Sequence, residues 1–344
     1  MGLKTKTVDL DLDRDIAPGL IANTKKRLVV AAGRSHSALA HDVAAQIGTE
    51  LVPTEYRTFA SGEILTRFEV SIRGCDFFLI QSFGPPVNEW LMETLIMLDA
   101  AKRASAKRIT VVAPYYPYSR QDKKSRGREP ISARLVADLF KTAGADRVMS
   151  VDLHAAQVQG FFDGPVDHLF AKPVLLDYFE RTLTARDRAK LTVVSPDTGR
   201  VRVADTWSDS LNAPLAIIHK RRDPNVANRV TVSEIVGDVN DRVCLLVDDM
   251  IDTGSTIVKA AEALKRSGAE RVIVAATHAI FSDPAAERLQ SDAIDEVVVT
   301  DTVPIPERKR FPQLTILPIA PLLARGIHEV FEDGSVTSMF DGAA

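Results

Sequence analysis

Two carboxylates and a cluster of small hydroxyl residues lie within nine positions, Asp248-Asp249 and Asp252-Thr253-Gly254-Ser255-Thr256. An apolar run, Cys244–Val247, precedes them, and an amphipathic stretch, Ile257–Ser267, follows. The order predicts a buried strand ending in two acids, then a short loop opening a helix. A loop at the positive end of a helix offers backbone N–H groups and hydroxyls to a phosphate. Gly254 lets the backbone approach closely. Paired carboxylates at the carboxyl edge of an open α/β sheet are placed to hold sugar hydroxyls or their magnesium. Helix capping by Asp252 or Thr253 would account for one residue but not for the acidic pair as well. No G-x-x-x-x-G-K-[ST] string occurs, so this is not a P-loop, and Asp-Thr-Gly lacks the all-β context of an aspartic protease.

The elements that must carry this loop recur along the chain. Ser105–Ala113, Gly144–Asp152 and Gly268–Ala276 each pass from a small residue through Ala, a charged residue and Arg into a β-branched apolar run. Gly144 and Gly268 suit the left-handed turn that ends a helix. Ser132–Gly144 and Ser255–Gly268 carry their apolar residues on one helical face, and the runs after them suit strands covered on both sides. Strands alternating with helices predict a parallel α/β sheet, and the junctions fall in both halves of the chain. The expected organisation is an N-terminal extension over 1–26, expected to be flexible, and two α/β domains over 27–172 and 173–332. The segment 333–344 would pack back on the first. Arg222–Asn228 and Thr302–Pro312 read as loops.

With 344 residues, 45% apolar and 26% charged, the chain has room for two packed domains. The net charge of −3 offers no basic excess for nucleic acid. No apolar run reaches the roughly 18 residues of a membrane helix, and the first residues do not read as a secretion signal. A cytoplasmic protein is expected, with Cys75 and Cys244 as buried thiols.

The segment Cys244–Thr256 resembles the 5-phosphoribosyl 1-diphosphate (PRPP) loop shared by type I phosphoribosyltransferases and PRPP synthetases, and by itself does not separate users of PRPP from makers. Four more segments, in order, resemble the synthetases: Tyr115–Lys124, Val151–Leu169, Val193–Gly199 and Ile217–Asp223. The chain is thus similar to class I PRPP synthetases (ribose-phosphate diphosphokinases), in wording closest to actinobacterial forms, from about Leu28 to Phe340. The resemblance implies two type I phosphoribosyltransferase-like domains, ATP on the first and ribose 5-phosphate on the second. It implies Mg²⁺ as cofactor and transfer of the β,γ-diphosphoryl group to the C1 hydroxyl.

Carried over residue by residue, Lys220 and Arg222 become catalytic, with Arg222 also on the phosphates. A solvated basic turn is the plainer reading of that run, and Arg221 faces solvent. Asp248, Asp249, Asp252, Thr253, Gly254, Ser255 and Thr256 would hold ribose 5-phosphate. Phe59, Ser61, Gly62, Glu63, Arg120, Gln121 and His154 would hold ATP. For Phe59 the alternative is core packing, and for His154 a satisfied structural histidine. His154 and Asp197 would contact the metal, although Mg²⁺ prefers oxygen. Ser71, Arg73, Arg128, Ser335 and Thr337 match an effector site for phosphate or ADP, and the assembly would be a ring, expected to be a hexamer. Two departures stand out. Ser61 replaces the usual Asn or Asp, and Arg200-Val201-Arg202 replaces a second glycine and a lysine after the diphosphate loop. The competing readings are a PRPP-consuming phosphoribosyltransferase and a non-catalytic, synthetase-associated regulatory subunit. The latter predicts damage at Lys220, Arg222, His154 or Asp197, where none is seen.

Overall fold

The computed structural model describes residues 26–222 and 230–340. The expected N-terminal extension therefore lies outside the described residues, apart from Lys26. In chain order the elements up to Leu169 are β1 (Leu28–Ala32), α1 (Ser37–Ile47), β2 (Thr54–Thr58), β3 (Ile64–Phe68), β4 (Asp76–Ile80), α2 (Val87–Arg103), β5 (Arg108–Ala113), α3 (Ser132–Ala143), β6 (Arg147–Val151) and β7 (Val166–Leu169). Then follow α4 (Lys172–Thr182), α5 (Ala185–Ala189), β8 (Leu191–Ser195), α6 (Val201–Leu211), β9 (Leu215–Arg222), β10 (Val230–Val236), β11 (Val243–Ile251), α7 (Ser255–Arg266), β12 (Arg271–Ala279), α8 (Ala285–Arg288), β13 (Glu296–Thr300), β14 (Leu314–Leu317) and α9 (Ala320–Phe331).

The chain forms two compact units, one running up to Leu169 and resuming at Ala320, the other Phe170–Ile319. The break falls close to the expected Pro173. The return differs: α9, expected with the second domain, joins the first. Its apolar stripe, including Leu323, Ile327 and Val330, is buried, and α9 packs on α1. At Gly326 the fit is close enough that a side chain would meet Leu169 and Met149.

The first unit holds a parallel sheet in the order β1-β4-β5-β6-β7 and a separate antiparallel pair, β2-β3. A parallel bridge from Val30 to Leu51 places chain on the far side of β1. The path therefore leaves β1 in one direction and returns in the other through β4. The second unit holds a seven-stranded sheet, β10-β9-β8-β11-β12-β13-β14, parallel except for β10. It reverses likewise, between β8 and β11. Such reversals open a crevice at the strand carboxyl ends. The central strands are buried on both faces, Val194, Leu246, Val274 and Val299 among them, which explains their unbroken apolar runs.

Gly144 and Gly268 lie at φ +123° and +88° at the ends of α3 and α7. At the third junction Ser105 adopts φ +61°. There the chain bends the same way without glycine. No described helix is long and apolar enough to cross a membrane.

Candidate functional site

In the second unit, β11 is longer than the apolar run suggests. It continues to Ile251 because its ladder with β12 extends to Ala279. Its ladder with β8 stops at Leu246 and Val194. Asp248 and Asp249 therefore lie within a strand, beyond the point where β8 covers it, at the crevice between the two. The neighbouring loop leaves β8 at Ser195, whose hydroxyl donates to the Asp197 carbonyl at 2.7 Å. The Asp197 carboxylate accepts from Gly199 N–H at 2.9 Å, capping the short turn Thr198–Arg200.

That turn aims Arg200 at the acidic pair. Its Nη2 is 2.6 Å from Asp249 and its Nε 3.5 Å from Asp248. Arg200 and Asp248 are each 15% exposed and Asp249 9%. The Asp249 N–H donates to Asp248 Oδ1 at 2.8 Å. Burial, and after it the Asp249 charge, push the Asp248 carboxyl well above the ordinary carboxylate range, while Arg200 pulls the other way.

Beyond the pair, Gly254 is the N-cap residue of α7, with φ +72°. Neither Asp252 nor Thr253 is the N-cap residue itself. Arg288 Nη1 donates to the Thr253 carbonyl at 3.1 Å, so α8 pins the loop. The arrangement presents a helix N-terminus flanked by Thr253, Ser255 and Thr256, suited to a phosphate. Lys220 and Arg222 lie on β9, on the other side of β8; their side chains, like the loop 223–229, lie outside the described residues.

In the first unit the ends of β5 and β6 bring together two of the sequence segments. Gln121 accepts Ser132 Oγ on its Oε1 at 2.6 Å and Ala133 N–H on its carbonyl at 3.2 Å, both from α3. Gln157 donates to Asp122, tying the Arg120–Gln121 loop to the loop of His154. His154 itself follows Leu153, whose N–H donates to His168 Nε2 at 2.9 Å. Asp122, Gln157 and His168 were inside recognised strings, yet their positioning role had no local signal.

Phe59, Ser61, Gly62 and Glu63 form the tip of the β2–β3 hairpin, closed by Phe59 N–H to the Glu63 carbonyl at 2.9 Å. Phe59 is 38% exposed, so the core-packing reading does not hold. The Arg57 guanidinium stacks 4.8 Å from its ring centroid. Ser61 Oγ donates to Glu63 at 2.8 Å, which turns the two side chains toward each other.

Of the effector candidates, Ser71 and Arg73 present carbonyls to Arg27 Nη2 at 2.9 and 3.2 Å. The adjacent Lys26 donates to the Phe331 carbonyl at 2.9 Å and pairs with Asp333, two residues before Ser335. Lys26 and Arg27 thereby gather the segments of Ser71, Arg73 and Ser335. Thr337 lies in the following turn, Val336–Phe340, and Arg128 in a separate loop with φ +68°.

The crevice of the first unit, between β1 and β4, is filled by side chains. Arg34 Nε pairs with the fully buried Glu93 at 2.5 Å. Gln81 donates to Glu93 at 3.0 Å and accepts from Ser35 Oγ at 2.7 Å. A side chain at Gly33 would collide with the Gln81 amide.

Known proteins match this chain along most of its length. A family model for the N-terminal domain of ribose phosphate pyrophosphokinase matches residues 28–144, and one for the phosphoribosyl synthetase-associated domain matches 224–341. Ribose-phosphate pyrophosphokinases of Streptomyces avermitilis and Mycobacterium tuberculosis are 60% and 58% identical over 94% of this chain, and 99% and 98% of theirs. The crystal structure of phosphoribosylpyrophosphate synthetase from Mycobacterium smegmatis is 56% identical, with a TM-score of 0.85, over 90% of this chain and all of that one. A chain that shares so much sequence with these enzymes, and whose two sheets follow their fold, belongs to the ribose-phosphate pyrophosphokinase family.

Proposed function

We propose that the protein transfers the β,γ-diphosphoryl group of MgATP to the C1 hydroxyl of ribose 5-phosphate, giving PRPP and AMP for nucleotide biosynthesis. The observation that carries this reading is the crevice between β8 and β11, where an acidic pair adjoins the glycine-led start of a helix, in a chain of this family. The α7 N–H groups and the hydroxyls of Thr253, Ser255 and Thr256 take the 5-phosphate. Asp248 and Asp249 accept hydrogen bonds from the ribose hydroxyls, and Asp252 and Gly254 shape the turn.

ATP is held on the first unit by Arg120, Gln121 and His154. Arg120 brings a forked donor to phosphate. Phe59, Ser61, Gly62 and Glu63 form the adenine contact, completed at a neighbouring subunit. With Ser61 occupied by Glu63, the glutamate is the stronger candidate for the base. Lys220 and Arg222 stabilise the charge that develops as the C1 oxygen attacks the β-phosphorus and AMP leaves.

His154 and Asp197 are the proposed Mg²⁺ contacts. Among the described residues no group of three or more His, Cys, Asp or Glu could hold a metal. Mg²⁺ keeps its waters and takes one or two carboxylates plus substrate phosphates. When bound, the ion neutralises phosphate oxygens. A hexameric ring in the cytoplasm belongs to the same proposal, as does an effector site for phosphate or ADP at Ser71, Arg73, Arg128, Ser335 and Thr337. Support for assembly comes from family membership and from the exposed Met92 and Leu135 on α2 and α3. The direct experiment incubates purified protein with ATP, Mg²⁺ and ribose 5-phosphate and measures AMP and PRPP together. Equal yields are expected; AMP without PRPP, or neither product, would overturn the assignment.

A further inference from the structure

We infer that Arg200 is the resident counter-ion of the Asp248–Asp249 pair, standing where a divalent cation would otherwise sit, and that it positions both carboxylates for the sugar. The positioning part rests on the sugar-phosphate reading of this crevice.

Three observations lead here. The guanidinium reaches both carboxylates, at 2.6 and 3.5 Å, with all three groups largely withdrawn from water. Two adjacent buried carboxylates repel one another, and a cation beside them favours the ionised form of both. Second, Arg200 is anchored. It ends the Thr198–Arg200 turn and leads directly into α6, whose Ala204 and Trp207 are buried. A guanidinium on a fixed turn is a permanent part of the crevice wall. Third, the first unit carries an arginine–acid pair at its own sheet reversal, Arg34 with Glu93. There too a buried acid is met by an arginine, although it is a single acid.

The consequence concerns the metal. A divalent ion on the pair would face a fixed positive charge a few ångströms away, in a region of weak screening. The sugar hydroxyls then meet carboxylates already oriented by a planar donor fork. One of the two departures from the family pattern after the diphosphate loop thereby acquires a role.

The test counts Mn²⁺ bound per full-length chain, without nucleotide, by the loss of the free-ion electron paramagnetic resonance signal. Wild type, Arg200→Ala, Arg200→Lys, Asp249→Asn and the Arg200→Ala/Asp249→Asn double variant are compared. Arg200→Ala is expected to gain one Mn²⁺ over wild type and the double variant to lose it again. Arg200→Lys and Asp249→Asn should match wild type. No gain in Arg200→Ala, or a gain that survives in the double variant, would overturn the role. If Arg200→Ala does not fold, Asp249→Asn decides: an unchanged count supports the role and a lower one overturns it. Calorimetry of ribose 5-phosphate on the same samples reports separately on the sugar site. Absence of sugar binding in wild type would sink that assignment while leaving the ion count to stand.

Discussion

Each sheet reverses direction once, and the two reversals are built differently. Between β1 and β4 the crevice is closed by Arg34, Glu93, Gln81 and Ser35 in a hydrogen-bonded network. Between β8 and β11 the arginine meets two acids at the surface of the crevice, and the helix beyond starts at a glycine. The first arrangement turns most of its polar atoms inward, and leaves the buried Arg34 Nη2 without a hydrogen-bond partner. The second leaves a helix N-terminus and several hydroxyls for a ligand. One architecture thus carries a closed polar cluster in one half and an edge suited to a ligand in the other, and the difference lies in a handful of side chains.

The sharpest way to break this comparison is Lys220→Ala in the second unit. Turnover should fall about 10²–10³-fold, as for loss of one transition-state donor, while ATP affinity by calorimetry stays unchanged. Equal loss of both would make the lysine a binding or folding residue.

The matching change in the first unit, Glu93→Gln, strands a partly buried guanidinium. Stability should drop by about 2–4 kcal/mol in urea unfolding, near the range for breaking such pairs. Turnover per folded molecule should hold. A fall in turnover with stability intact would give the first crevice a catalytic part.

Ser105→Gly should add about 0.5–1 kcal/mol, since a non-glycine residue at φ +61° is strained by roughly 1–2 kcal/mol and glycine gives back part of that through its looser unfolded chain. A lower unfolding midpoint would show that the serine is held there by something besides backbone geometry.

The smallest effect concerns carboxylates shifted in opposite directions. Asp248 is pushed up by burial, whereas Arg108 and then Lys26 hold Asp333 down at about 2. A depressed carboxylate contributes stability above its unfolded value of about 3.9 and loses it as pH falls toward the folded value. Asp333 is more than half exposed, so its contribution stays below about 1 kcal/mol. Asp333→Asn should therefore be slightly less stable than wild type near pH 6 and equal to it near pH 2. A difference that persists at pH 2 would point to packing.

Much of this was legible in the residues themselves. Alternating helices and apolar strands identified two parallel α/β sheets, because a 3.6-residue stripe and a short unbroken apolar run report burial locally. The loop at Asp252–Thr256 and the acids before it suggested a phosphate and sugar site, since residue type and order limit the chemistry a loop can offer. Tertiary structure alone decided the rest. It assigned α9 to the first unit, because its partners Leu169, Met149 and α1 are far away in sequence. It lengthened β11 past Asp249, because the neighbouring β12 was there to pair with it. It turned Arg200 onto Asp248 and Asp249, about fifty residues onward, and closed the other crevice with Gln81 and Glu93. Charge pairing and side-chain packing act through space, so their outcome is set only when the strands stand side by side.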